Sequence, residues 1–385
     1  MTQTGLRPGA AELVATELGT NLLRHAMPGG YVLVRKAGDG IELISVDAGP
    51  GMPASAVARA LSTTGPAPAP GAAPASSYRG VGGIPSRPGT GLGAGPGAGL
   101  GAGLGVVRRQ AAEFDLYSDR HGTVVYARLG SPPPAVPGPG PGGGHWRFGG
   151  VNIPYGGDGE SGDAWAVAPG PAGPTGPTLA ALVVDGLGHG PAAALAARAA
   201  VQEFERGPLT GLEPFVRHAH EVLRATRGGV LGTCLIDPVR GELAYAAVGN
   251  ITGRVVTGAG ASVTGGNRNG TGASGTGRIS SGRGTYLLDR PGTLGTHLPL
   301  PTIRLQHCPW RPGSTLILVS DGIRSGWSPS PEDHPGLLAR HPAVVAAVLH
   351  REYGRPNDDA TVLVVHQPEA VPDVVPEAGP SPRTV

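Results

Sequence analysis

Residues 178–205 read TLAALVVDGLGHGPAAALAARAAVQEFE, and the way this stretch folds decides the class of the larger part of the chain. TLAALVVDG is a short apolar run that predicts a strand, and PAAALAARAAVQEF has the spacing of a helix. Between them the strand closes on Asp185–Gly186. Further on, GTCLIDP, ELAYAAVGN, STLILVSDG and ATVLVVH are strand-like, and HPAVVAAVLHREY is helical. The pattern predicts an α+β fold in which several strands meet a loop at an Asp-Gly pair.

Toward the N-terminus, AAELVATELGTNLLRHA sets Leu13, Val14, Leu18 and Leu22 at helical spacing. Two strand-like runs follow, YVLVRK and IELISVDAG, split by a Gly-Asp-Gly turn signal. VVRRQAAEF then predicts a helix and GTVVYARL a strand. Three stretches rich in Gly, Pro or Ser lack apolar periodicity: about 65–98, 130–144 and 258–284. The middle one alternates Pro and Gly, as an interdomain linker does. The expected organisation is a domain at 1–129 with an insertion at about 66–98, a linker at 130–144, a domain at 145–367 with an insertion at about 258–284, and a disordered tail at 368–385. Such insertions are tolerable, because lengthening a loop from about 10 to about 40 residues costs only about 1.2 kcal/mol in closure entropy.

The 385 residues include 68 Gly and 41 Pro, and Lys36 is the only lysine. A net charge of +2 with scattered arginines leaves no electrostatic footprint for nucleic acid. No apolar run approaches a membrane span, and no signal-peptide pattern opens the chain. Cys234 and Cys308 lie far apart in apolar surroundings and predict buried thiols of a reduced compartment. A cytoplasmic protein that engages neither membrane nor nucleic acid is expected.

Four acidic positions of the C-terminal part border strands: Asp163 in SGDAW, Asp185, Asp321 in LVSDGI and the pair Asp358–Asp359 in NDDATVLVV. Any one alone is ordinary turn chemistry. Together, a sheet could carry them to one edge, where they cannot all stay ionised without a cation. All-oxygen donors select Mg²⁺ or Mn²⁺, and two such ions would clamp a phosphoryl group and acidify a water. SGDAW, VVDGLGHGPAAA, AAVGNITGRVV, GTLG, RPGSTLILVSDGI and NDDATVLVV, taken in order over roughly 145–366, resemble the metal-dependent serine/threonine phosphatases of the SpoIIE and RsbX type, in the PPM clan. The resemblance implies an αββα sandwich binding two Mn²⁺ or Mg²⁺ ions. It further implies that Asp185 bridges both ions, the Gly186 carbonyl ligates one, Asp321 and Asp358 serve one site, and Asp163 lies in or near the ligand set. Asp359 is expected to be a supporting or loop residue, and Asn250 structural or supportive. Leu187 stands where many relatives carry a histidine. His189, two residues on, is either a helper of the leaving group or a packing residue.

On the first helix Glu17, Asn21 and His25 share one face. They are either a solvated polar stripe or part of a site. TELGTNLLRHA and VDAGPGM resemble the N box and the adenine box of the GHKL ATP-binding fold, and the closest pattern is that of the bacterial switch kinases of stress signalling (RsbT-like). The resemblance implies a partial α/β sandwich holding ATP with Mg²⁺. In that reading Asn21 carries Mg²⁺, Glu17 is catalytic, Asp47 pairs with the adenine amino group, and Gly49, Gly51 and Thr123 line the site. The run GLGAGLG at 99–105, with Gly99, Gly101, Gly103 and Gly105, is expected as a lid whose end faces phosphate. The first strand and helix of that fold are missing from the sequence, and the lid is interrupted. An active kinase and a degenerate nucleotide-binding or docking module both fit. The function implied is a phosphatase acting on a phosphorylated small anti-anti-sigma (STAS-like) protein in sigma-factor signalling. The alternatives are a partner-switching protein with a silent phosphatase site, or a kinase for which the phosphatase is secondary.

Overall fold

The computed structural model describes residues 6–62, 100–131, 145–157, 159–171, 177–206, 209–257, 284–296, 299–300 and 302–368. The expected insertion at 66–98, that at 258–284 apart from Gly284, most of the linker (132–144) and the tail from 369 lie outside these residues. The chain divides into two compact units, Met1–Pro133 and Pro134–Val385.

In the first unit α1 (Ala10–His25) is followed by β1 (Gly30–Ala37), β2 (Gly40–Asp47), α2 (Ala54–Leu61), α3 (Leu100–Gln110), β3 (Glu113–Asp119) and β4 (Gly122–Leu129). The strands form an antiparallel sheet in the order β1-β2-β4-β3. Val14 and Leu18, one turn apart on α1, pack with Leu104 and Val107 of α3 and with Leu43, Leu116, Val125, Ala127 and Leu129 of the sheet. Each such buried aliphatic contributes about 1.5–3 kcal/mol. The helix expected over VVRRQAAEF is displaced: α3 begins at Leu100, and Glu113–Phe114 already belong to β3. Glycine's low helix propensity pointed to a loop at 99–105, but the buried contacts of Leu104 and Val107 override it.

The second unit contains β5 (Arg147–Ile153), β6 (Asp163–Pro169), β7 (Leu179–Gly186), α4 (Pro191–Glu205), α5 (Leu212–Leu223), β8 (Gly229–Asp237), β9 (Glu242–Val248), β10 (Thr252–Thr257), β11 (Thr285–Leu287), β12 (Gln306–Pro309), β13 (Ser314–Val319), α6 (Pro342–Tyr353) and β14 (Ala360–His366). Two antiparallel sheets run β11-β10-β13-β14-β5 and β12-β9-β8-β7-β6. Side chains alternate across a strand, so Leu179, Ala181 and Val183 of β7 enter the layer between the sheets with Leu316, Leu318, Leu363 and Val365. Their neighbours Ala180, Leu182 and Val184 pack instead on Ala196, Ala200 and Phe204 of α4 and Phe215 and Val216 of α5. Helix α6 covers the opposite sheet along β14 and β5. The result is a helix–sheet–sheet–helix sandwich. Cys234 and Cys308 are buried free thiols. No helix among the described residues is long and apolar enough to cross a membrane.

Candidate active site

Strand parity carries the acidic residues to one end of the interior of the second unit. Asp185 continues the Leu179–Ala181–Val183 face of β7. Its register partner on β6 is Asp163, and directly opposed residues of an antiparallel pair have Cβ atoms about 4.5–5.5 Å apart. From the other sheet, Ser320 continues the Leu316–Leu318 face of β13. Its Oγ donates to Asp163 Oδ2 at 2.7 Å and accepts the Thr361 N–H at 2.9 Å. Ser320 thereby ties the two sheets together beside the carboxylates. Asp321 follows at once, and Asn250 Nδ2 donates to its Oδ2 at 2.7 Å.

Asp359 is buried and accepts backbone N–H groups with both oxygens, from Tyr155 at 2.7 Å and Gly162 at 2.9 Å. It fastens the β5–β6 loop, and Asn152 adds a bond from Nδ2 to the Asp163 carbonyl at 2.7 Å. Asp358 Oδ1 accepts the Asp359 N–H at 3.0 Å. The turns approach so closely that a Cβ on Gly322 would lie 2.0 Å from the Asp359 carbonyl oxygen, and one on Gly186 would lie 2.2 Å from that of Ala193. His189 sets its ring 5.3 Å from that of Tyr155 at this end.

Burial raises the Asp163 carboxyl to about 7; the Ser320 hydroxyl opposes the shift, and Asp359 and Asp321 add to it. Asp185 is pushed to about 9, first by burial and then by Asp163, Asp321, Asp358 and Asp359. Asp321 is raised by burial and by Asp358, with Arg355 as the opposing charge. Asp163 Oδ1 is buried and makes no well-aligned hydrogen bond among the described residues, the Thr361 hydroxyl only weakly supporting the charged form of the carboxylate. An acceptor without a well-aligned donor amid crowded carboxylates fits a divalent cation, and the all-oxygen donor set suits Mg²⁺ or Mn²⁺. Asp163, Asp185, Gly186, Asp321 and Asp358, singled out in sequence, all stand at this end. Ser320 and Asn152 were missed, although Ser320 lies in phase with the apolar face of LILVSD.

In the first unit a cleft is lined by Asn21, His25, Asp47, Gly51, Met52 and Thr123, among others. Asp47 Oδ1 accepts the N–H groups of Gly49 at 2.9 Å and Thr123 at 3.0 Å. Gly51 has φ +76°, and a Cβ there would lie 1.9 Å from the Asp119 carbonyl oxygen, so the turn requires glycine. Glu17 does not line the cleft. It packs under α3, where a Cβ on Gly103 would lie 2.7 Å from Glu17 Oε2. Gly101, Gly103 and Gly105 are wound into α3 rather than forming a loop ahead of it. Gly99 lies outside the described residues. The cleft thus gathers Asn21, Asp47, Gly51 and Thr123 of the residues singled out in sequence, while Glu17 lies under α3.

The family model described as Stage II sporulation protein E (SpoIIE) matches residues 175–368. Among solved structures, a chain from work on the bacterial stressosome, a modular system adapted to control secondary messenger signalling, is 27% identical over 57% of this chain and 99% of its own, with a TM-score of 0.46. RsbX in complex with magnesium is 18% identical over 58% of this chain and 95% of its own, with a TM-score of 0.43. The PP2C phosphatase domain with a fragment of the regulatory domain of SpoIIE from Bacillus subtilis is 13% identical over 94% and 95%, with a TM-score of 0.42. No curated protein matches the chain in sequence. The family match spans half of the chain and takes in Asp185, Asn250, Asp321 and Asp358, so the chain belongs to the SpoIIE family.

Proposed function

We propose that the acidic end of the second unit is the site of a metal-dependent protein serine/threonine phosphatase whose substrate is a phosphorylated small regulatory protein of the anti-anti-sigma (STAS-like) kind. The observation that carries the reading is the direct pairing of Asp163 with Asp185, whose burial disfavours their ionisation, within reach of the charges of Asp321 and Asp358. Asp185, the Gly186 carbonyl, Asp321 and Asp358 would hold the ions, with Asp163 beside them. Bound Mn²⁺ or Mg²⁺ supplies charge neutralisation of the phosphoryl group and acidification of a water. The chain's own residues keep the ligands in place. Ser320 fixes the rotamer of Asp163, Asn250 that of Asp321, and Asp359 clamps the β5–β6 loop. The SpoIIE family match supports the phosphatase class. The test is hydrolysis of an aryl phosphate with Mn²⁺ or with chelator, by wild type and Asp185→Ala. Metal-dependent turnover lost in the variant supports the reading, and turnover equal in both rejects it.

For the first unit we propose nucleotide binding without phosphoryl transfer. The cleft and the anchored Asp47 support the base-binding half, and Glu17 under α3 argues against the kinase reading. Binding of ATP by wild type and not by Asp47→Ala is expected in calorimetry; equal affinities would sink the assignment.

A further inference from the structure

A phosphoserine brings nearly two negative charges to a pocket walled by Asp163, Asp185, Asp321, Asp358 and Asp359. The strongest charges acting on Asp185 are all carboxylates. Bound ions offset them at the centre, but the outer phosphoryl oxygens still need a donor at the mouth. Arg355 follows α6 in the loop leading to Asp358, and its N–H donates to the Gly322 carbonyl at 2.8 Å, next to Asp321. Gly354 bridges to Ile323 on the same turn, and Pro356 confines the Arg355 backbone to extended conformations. The stem is thus fixed beside the site while the residue is exposed. Its charge already acts on Asp321. Three other exposed arginines border this end: Arg227 lies against Gly188 of the β7–α4 loop, Arg290 pairs its backbone with Gly249, and Arg324 turns its side chain to the Glu352 carbonyl; none is among the main charges on a site carboxylate.

We infer that Arg355 is the positioning residue for the substrate phosphoryl group, its planar fork taking two oxygens of the phosphate as it enters the acidic pocket. The inference rests on the phosphatase reading given above. It differs from a merely structural role, and from a role confined to keeping Asp321 ionised, in what it does to phosphate itself.

The test compares wild type, Arg355→Ala and Arg355→Lys in the full chain saturated with Mn²⁺. For Arg355→Ala the KM for a phosphoserine peptide and the inhibition constant for inorganic phosphate should both rise about ten- to a hundredfold, the loss of a charge-assisted pair. The kcat and the Mn²⁺ activation constant should hold. Arg355→Lys should recover part of the KM. An unchanged phosphate inhibition constant would overturn the proposal. So would a shifted pH–rate profile with a shifted Mn²⁺ requirement, which would confine Arg355 to tuning Asp321. If wild type proves inactive, the phosphatase reading fails by itself. Calorimetric titration of inorganic phosphate into Mn²⁺-saturated wild type and Arg355→Ala then decides the arginine separately, equal binding counting against it.

Discussion

Burial and four neighbouring carboxylates hold Asp185 at about 9, and burial holds Asp163 at about 7, against roughly 3.9 for an aspartate in an unfolded chain. Between about pH 4 and 9 the native protein therefore binds more protons than the unfolded one, and in the absence of metal its stability falls as pH rises. Thermal unfolding in chelator should give a melting temperature that drops from pH 5 to 9. Mn²⁺ should reverse the drop, because a cation then replaces the protons. A flat profile in chelator would contradict the burial of these groups. Ser320→Ala removes the donor to Asp163 and the acceptor of the Thr361 N–H. It should lower stability by about 1–3 kcal/mol and move the acid limb of the pH–rate profile to higher pH, since Asp163 loses the bond that favours its ionised form. Each acidic ligand candidate was legible as a residue at a strand end. The facing of Asp163 and Asp185 was not, because register between two strands depends on pairing that no single run encodes.

Strand ends and turns build the site, and their glycines separate two kinds of close approach. A Cβ on Gly322 meets the carbonyl oxygen of Asp359 at 2.0 Å, a wall of backbone that cannot swing aside. Gly322→Ala should cost about 1–3 kcal/mol and most of the hydrolytic activity, as read by denaturant melts and turnover. A Cβ on Gly103 meets only the end of the Glu17 side chain, at 2.7 Å. Gly103→Ala should therefore be tolerated, and can gain up to about 1 kcal/mol from helix propensity. Loss of stability there would mean that Glu17 is held more tightly than its reach allows. Apolar periodicity makes α1, β7 and β14 legible. It misled at 106–114, where Ala-Ala-Glu has helix propensity but Phe114, Leu116 and Ser118 alternate as a strand, and where tertiary packing starts the helix earlier, among glycines.

At the scale of the whole molecule, each unit has a hydrophobic cluster of its own, Val14–Leu129 in the first and the interior and helical layers of the sandwich in the second. The fragment 134–385 should therefore fold and retain metal-dependent hydrolysis of an aryl phosphate, measured against the full chain. The α+β class was readable from strand and helix patterns. The layering was not, because it depends on which face of β7 meets helix and which meets sheet. Hydrolysis at this site requires the acidic end of the sandwich to bind divalent cations. This requirement is tested most directly by calorimetric titration of Mn²⁺ into wild type and Asp185→Ala at pH 8, in buffers of differing ionisation enthalpy. Wild type should bind up to two ions with release of protons, and the variant should lose that binding. Binding of the same strength in both proteins, or none in wild type at millimolar Mn²⁺, would contradict it.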